Sequence, residues 1–256
     1  MKTSHKNNSD IIEYRQQFQS QEIADIYDAR YANPENYGNL LFKIEQLYLS
    51  KQIDAMTKEH LRIEMLDFAC GTGRITAFLE NMVDRSVGLD ISMSMLRRAK
   101  AKTRHTEFVH GDITTDPELC LGPFDLIVTF RFITNAEPEL REAVLLQLRQ
   151  RLRNKNSRLI FNVHRNLHSY LLFHWGLQKV RPDTNHVWNY LTIQNVRNLT
   201  RRCGLEIEHT IGFGFLSSHI ATRLGFNTAL QIEKSLSRIP ILNHFGSEFI
   251  VICRPI

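Results

Sequence analysis

Cysteine is scarce in this chain, and its four copies, Cys70, Cys120, Cys203 and Cys253, stand far apart with no CxxC pair. That argues against a zinc site and a disulfide framework, and it suits a reducing compartment. Long apolar runs are missing as well, so no bilayer-spanning helix is expected. The first ten residues are polar rather than leader-like, and a cytoplasmic location is the expectation. A strong charge excess is also lacking: 32 Lys and Arg stand against 27 Asp and Glu, a net charge of +5 and a pI of about 9.1. So mild an excess is compatible with nucleic acid, but it reads first as a solvated surface. No internal repeat or low-complexity tract interrupts the chain. With 256 residues, 43% hydrophobic and 23% charged, it fits one globular domain with an elaboration.

What is present is organised around residues 65–74, Met-Leu-Asp-Phe-Ala-Cys-Gly-Thr-Gly-Arg. Apolar residues run into a Gly-x-Gly turn, and Ile75, Phe78, Leu79 and Met82 follow at helical spacing. The pattern predicts a buried strand over 63–69, a tight turn, and a helix over 74–82. Glycine serves where backbone turns sharply or comes close to a ligand. The free amides of a helix's first turn favour a ligand rich in acceptors.

Upstream, residues 1–20 are polar and aperiodic and are expected to be disordered. Two helices should follow, one from residue 21 (Ile23, Ile26, Tyr27, Tyr31) and one over 39–58 (Leu41, Ile44, Leu47, Tyr48, Ile53, Met56). Together, 21–60 is expected to form a helical cover over the turn. Downstream, strands at 86–91, 107–110, 124–130 and 158–163 alternate with helices at 93–103 and 138–154. Ser92 caps the first of these helices and Pro138 opens the second. Residues 164–188, rich in His, Trp and Tyr, form an insertion expected to cap the site. A helix over 189–203 closed by Gly204, a strand over 205–215, a helical region over 217–236 and a strand over 248–254 complete the chain. The alternation predicts an α/β domain over 61–256 with a doubly wound, seven-stranded, mostly parallel sheet, the last strand antiparallel. Right-handed crossovers put the strand ends on one edge, where open α/β sheets bind ligands.

Gly71 and Gly73 follow the first strand, Asp90 ends the second, Asp112 the third, and Phe130-Arg131 the fourth. An acidic residue at the second position can accept hydrogen bonds from both hydroxyls of a ribose. Asp112 can accept from an exocyclic amine, and Ile113 can pack on a flat base. The set makes an adenosine-shaped site. Thr76 stands where a dinucleotide fingerprint has its third glycine, and no GxxxxGK[ST] loop exists.

The sequence resembles the class I S-adenosylmethionine-dependent methyltransferases. The resemblance is carried by Leu66 through Gly73, Val87-Gly88-Leu89-Asp90-Ile91-Ser92, Gly111-Asp112-Ile113 and Phe124-Asp125-Leu126-Ile127-Val128. It implies a Rossmann-like fold, S-adenosylmethionine as cofactor, S-adenosylhomocysteine as product and no metal. It implies that Asp67 holds the methionine amino group or orients the loop. Backbone at Ala69, Gly71 and Gly73 would approach the methionine portion, Asp90 would hold the ribose and Asp112 the adenine amine. Ile91, Ile113 and Phe130 would line the site. Ile26-Tyr27-Asp28 and Tyr37 resemble the preface of small-molecule members, in which an N-terminal helix closes over the cofactor. Tyr27 and Tyr31, four apart, equally suit the core face of a helix.

Methyl transfer from a sulfonium is a displacement, so aiming the acceptor and excluding water matter most. A base helps where the acceptor carries a proton. His164, directly after the fifth strand, is the best placed of eleven histidines, with Arg131 beside it and His168, His174, His186 and Tyr190 further on. Arg131 can bind an acidic acceptor or pair with Glu137 or Glu139. The expected partner is a small-molecule acceptor, O-methylation ahead of N-methylation, seated between the N-terminal helices, 130–135 and 164–188. Two alternatives are an RNA methyltransferase and a cofactor-binding partner subunit without activity. Against nucleic acid, residues 129–132 read Thr-Phe-Arg-Phe and lack the Asn/Asp-Pro-Pro-aromatic run of base-methylating members. The oligomeric state is left open.

Overall fold

A computed structural model describes residues 14–17, 21–59, 62–120, 122–170, 172 and 189–256. Its strands are β1 (Glu64–Phe68), β2 (Arg85–Asp90), β3 (Glu107–His110), β4 (Leu126–Thr129), β5 (Arg158–His164), β6 (Leu205–Phe213) and β7 (Glu248–Pro255). They form one seven-stranded sheet in the order β3-β2-β1-β4-β5-β7-β6. The pairs from β3 to β5 are parallel, and β7 lies antiparallel between β5 and β6. This is the doubly wound, mostly parallel architecture that the alternation predicted. The helices are α1 (Tyr14–Gln17), α2 (Gln21–Ala32), α3 (Tyr37–Glu59), α4 (Arg74–Leu79), α5 (Met93–Lys102), α6 (Pro138–Gln150), α7 (Ile193–Arg202), α8 (Ser218–Leu224) and α9 (Phe226–Leu236).

The two-residue strand period divides the core into two layers. Leu66, Phe68, Val87, Leu89, Ile127 and Phe161 meet the stripe Leu140, Val144, Leu145 and Leu148 of α6 and Val196 and Leu199 of α7. Met65, Leu126, Val128, Ile160, Ile250 and Ile252 face the other way, onto α3, α4 and α9. Local signals stop and start the helices as their chemistry requires. Ser92 accepts the Met95 amide at the head of α5, and Thr192 and Asn195 form a reciprocal capping box on α7. Pro138 occupies the first turn of α6, where no amide is missed.

Some elements differ from expectation or add to it. The apolar stripe of α3 runs the length of the helix, so Leu40, Leu41, Ile44, Leu49, Ile53 and Met56 are buried against the sheet. The helical region 217–236 breaks at Gly225, whose φ of 77° and ψ of 152° fit neither helix. Phe124 makes only an isolated bridge to Leu152, so β4 is shorter than 124–130. Residues 14–17, inside the segment expected to be disordered, form α1. Residues 1–13 and 18–20, and 171 and 173–188 of the expected capping insertion, with His174 and His186, lie outside the described residues.

Candidate active site

A cavity of about 380 Å³ lies at the C-terminal ends of β1, β2, β4 and β5, with α1 and α2 on its other side. Tyr27, Asp67, Ala69, Gly71, Asp90, Ile91, Asp112, Phe130, Arg131 and His164 all line it. Three of the expected residues do not. Tyr37 opens α3, and its hydroxyl donates to the Leu216 carbonyl at 2.6 Å. Ile113 is fully buried in the core layer beneath the sheet edge. Gly73 faces protein, since a Cβ there would stand 2.8 Å from the Ala99 Cβ, so its role is the close packing of α4 on α5.

Asp90 ends β2, where its Oδ1 accepts the Ser92 amide at 2.8 Å and its Oδ2 the Gly71 amide at 2.7 Å. A carboxylate has about four acceptor positions, so capacity remains for a ligand. Burial raises its pKa, and the Ser92 and Gly71 amides work against that rise. Asp67 is buried one strand over and accepts from the Thr76 hydroxyl at 2.5 Å. Burial pushes it up to about 7, against the Thr76 bond and Arg74. Thr76, at the place of the missing third glycine, is therefore a partner of the site's acid. Gly71 itself has φ +56° and nothing within 4 Å of a notional Cβ, so backbone is bare at the cavity wall.

The N-terminal segment supplies two residues that polarity and lack of period hid. Arg15 donates through Nε to Asp112 Oδ2 at 2.7 Å and through Nη2 to Thr114 Oγ1 at 2.6 Å. Asp112 Oδ1 accepts the Thr114 amide at 2.8 Å and its hydroxyl at 2.7 Å. Burial works against ionisation of Asp112, but Thr114 and Arg15 outweigh it and lower its pKa. Tyr14 donates its amide to Glu137 Oε1 at 2.8 Å and sets its ring edge-on to Phe132, centroids 5.2 Å apart. Phe132 meets Phe68 in the same way at 5.2 Å.

Behind the cavity, two arginines and two glutamates neutralise one another. Arg74 Nη1 reaches Glu45 Oε2 at 2.7 Å while its guanidinium lies over the Phe42 and Tyr31 rings, 4.2 and 4.8 Å from their centroids. Arg131 donates to Glu248 at 2.8 Å and lies 3.5 Å from Glu45. Asn162 Nδ2 bridges to Glu45 Oε1 at 3.1 Å. Burial opposes the charge on Arg131, but Glu248 outweighs it and holds the pKa well above the ordinary value. Arg131 thus pairs with Glu248 and Glu45 and not with Glu137 or Glu139, and its charge is already balanced before any acceptor arrives. Each acidic partner left a trace in the sequence. Glu45 sits on an apolar helix stripe beside Leu41, Ile44 and Tyr48, and Glu248 opens an otherwise apolar strand. Tyr27, in the same wall, has its hydroxyl pushed up to about 12, first by burial and then by Tyr31, and stays neutral.

His164, the last residue of β5, stands across the cavity. Its Nε2 lies 3.1 Å from Asn135 Oδ1, and its amide donates to Thr134 Oγ1 at 3.2 Å. Among the described residues, His168 closes a turn through its amide to Asn166 Oδ1. Tyr190 lies in a separate groove with Pro138 and Arg141, between α6 and α7.

A family profile described as "Methyltransferase domain" matches residues 65–155, which run from β1 past the end of α6 and carry Asp67, Gly71, Asp90 and Asp112. The chain has the fold of the class I S-adenosylmethionine-dependent methyltransferases. Among similar solved structures is a magnesium protoporphyrin IX methyltransferase from Synechocystis with bound S-adenosylhomocysteine. It is 16% identical, with 94% of this chain and 97% of that one covered and a TM-score of 0.63. A possible histamine N-methyltransferase from Thermotoga maritima is 13% identical over 91% and 96% of the two chains, TM-score 0.59. A TehB-like S-adenosylmethionine-dependent methyltransferase from Corynebacterium glutamicum is 20% identical over 93% and 100%, TM-score 0.57. At such identities the likeness is one of fold. No curated protein sequence matches the chain.

The residues present fit the family's cofactor, S-adenosylmethionine. Bare backbone at Gly71, spare acceptor capacity on Asp90 and an acid, Asp67, in the wall suit a ligand with ribose hydroxyls and an ammonium group. Arg15 already covers Asp112, so an adenine amine there would share or displace that guanidinium. Among the described residues, no group of three or more His, Cys, Asp or Glu is placed to hold a metal, and no helix is long and apolar enough to cross a membrane.

A role for Asp67 in holding an ammonium group would carry a pH signature, because burial raises its pKa. Only the ionised carboxylate attracts an ammonium group, and burial pushes Asp67 up to about 7. Affinity for S-adenosylhomocysteine should therefore climb as pH rises through about 7 and then level off. Calorimetric titrations from about pH 6 to about pH 8 would show it. A flat profile would place the ammonium group away from Asp67.

Proposed function

We propose that the methyltransferase acts on a small-molecule acceptor and that the methylated atom is a hydroxyl oxygen. The observation that carries this is the placing of His164 in the wall of the cavity that also holds Asp67, Asp90 and Gly71. When bound, S-adenosylmethionine supplies a methyl group on an electrophilic sulfonium. Asp90 would hold the ribose, Asp67 the ammonium group, and backbone at Ala69 and Gly71 would approach the methionine portion. Phe130, Phe132, Leu140 and Val144 give part of the wall an apolar face. Such a wall suits a small, partly apolar acceptor and keeps water out, whereas a duplex needs an open basic groove. In this reading His164 accepts the proton that a hydroxyl gives up, a help that an already basic amine does not need. All four cysteines are free thiols, which fits action in the cytoplasm.

The test is to incubate the protein with methyl-labelled cofactor and an extract of the native host, then find the labelled product by mass spectrometry. A labelled small molecule is expected, with turnover falling at least about a hundredfold in His164→Gln while S-adenosylhomocysteine binds as before. Label confined to RNA would overturn the proposal.

A further inference from the structure

We propose that residues 239–245, together with α8, form a docking surface for an anionic lipid bilayer, to which the protein attaches peripherally. The attachment does not depend on the acceptor proposed above.

Between α9 and β7 the chain turns through a short 3-10 helix, Pro240–His244. Its side chains are partitioned in reverse. The polar Asn243 is spent on protein, where its Oδ1 accepts the Gly212 amide at 3.0 Å. Ile239, Ile241 and Phe245 instead stand 43%, 73% and 53% exposed. The backbone holds them there. The Leu242 and Phe245 amides donate to the Ile239 and Leu242 carbonyls at 3.0 and 2.9 Å. Asn166 Nδ2 donates to the His244 and Gly246 carbonyls at 2.8 and 2.9 Å, and the Ser247 amide donates to the Gly214 carbonyl at 3.1 Å. Single exposed apolar residues are ordinary, but three large ones on one pinned turn make a patch.

α8 repeats the pattern. Ile220 and Leu224, four residues apart on one helix face, are exposed, and so are His219 and Arg223 next to them. The two elements share an edge of the sheet. β6 ends and β7 begins there, with Phe213 and His164 both in register with Glu248. That is the edge at which the cavity lies.

Charge selects the occupant. From residue 209 onward the acidic residues are Glu233 and Glu248, and both are buried. Arg223 and Arg238 are exposed and Lys234 is half-buried. Among the described residues, none of these three has a carboxylate at ion-pairing distance. Arg202 and Arg254, elsewhere on the surface, do have one, in Glu142 at 2.8 Å and Glu206 at 2.9 Å. Apolar side chains within a cationic rim suit the headgroup layer of an anionic membrane. A second copy would set these cations against one another across a two-fold axis. A protein partner would need a fitted pocket for each projecting side chain, which a fluid bilayer does not.

Flotation of the full-length protein with lipid vesicles tests the proposal. The wild type should float with phosphatidylcholine vesicles that contain phosphatidylglycerol, and should bind pure phosphatidylcholine vesicles at least about tenfold more weakly. Salt at about 0.5 M should weaken the first binding. Ile241→Asp and Arg238→Glu should each weaken it at least about tenfold, with affinity for S-adenosylhomocysteine as in the wild type. If Ile241→Asp does not fold, Arg238→Glu decides. A wild type that ignores anionic vesicles, or variants that bind them as the wild type does, would overturn the proposal. So would a dimer that Ile241→Asp dissociates in a protein without vesicle binding, because the occupant would then be a second copy.

Discussion

Arg131→Ala should cost the fold about 3–5 kcal/mol, the range for removing one partner of a buried ion pair. The arginine lines the cavity, and in sequence it looked like a hand for an acidic acceptor. In the structure it is the counter-charge of Glu248 at 2.8 Å and a second one for Glu45 at 3.5 Å. Glu45 is fully buried and Glu248 nearly so. Without Arg131, Arg74 alone would face two carboxylates, and Glu248 would have to take a proton or admit water. Arg131→Lys should recover only part of the loss, because a single ammonium cannot serve two carboxylates as a planar fork does. Urea denaturation checks the size. A loss below about 1 kcal/mol would mean that solvent reaches the network and screens it as it does a surface pair.

Gly71→Val and Gly73→Val should fail in opposite ways although they are two residues apart. At Gly73 a Cβ would meet the Ala99 Cβ at 2.8 Å and its Cα at 2.9 Å, with φ +77°. Overpacking and left-handed backbone together should destabilise the protein by about 2–5 kcal/mol. At Gly71 a Cβ meets nothing within 4 Å, and φ is +56°. The backbone strain there costs about 1–2 kcal/mol, but the new side chain enters the cavity. Affinity for S-adenosylhomocysteine should drop by about two orders of magnitude in a protein that still folds. Thermal denaturation and calorimetry on both variants check the pair. A stable Gly73→Val protein, or a Gly71→Val protein that binds normally, would contradict the division.

The contrast between these two glycines shows where sequence stops being sufficient. The strand–turn–helix at 64–79 was legible because its apolar runs and its glycines are local signals, read over a few neighbours. Asp67, Asp90 and Asp112 were legible because parallel topology sends every such strand end to one edge. What a side chain faces after folding is set by distant elements. Gly73 touches α5, and no feature of the turn announces Ala99. Glu45, Arg131 and Glu248 come from α3, the end of β4 and β7, and only the antiparallel insertion of β7 brings Glu248 opposite His164 in register. Polar residues inside apolar patterns, Glu45 on its helix stripe and Asn162 within β5, were the available warning, since buried charges and amides are kept where they have partners. Tyr14 and Arg15 gave no such warning. Their segment is polar and aperiodic, and they are held by Glu137 and Asp112, some hundred residues away.

The central claim is that the cavity at the strand ends holds S-adenosylmethionine through the carboxylate that closes β2. Calorimetric titration of S-adenosylhomocysteine into the wild type and Asp90→Ala tests it most directly. One site per chain is expected, with a loss of about 1.5–3 kcal/mol in the variant, roughly a ten- to hundredfold weaker affinity. Equal affinity in a folded Asp90→Ala protein would contradict it.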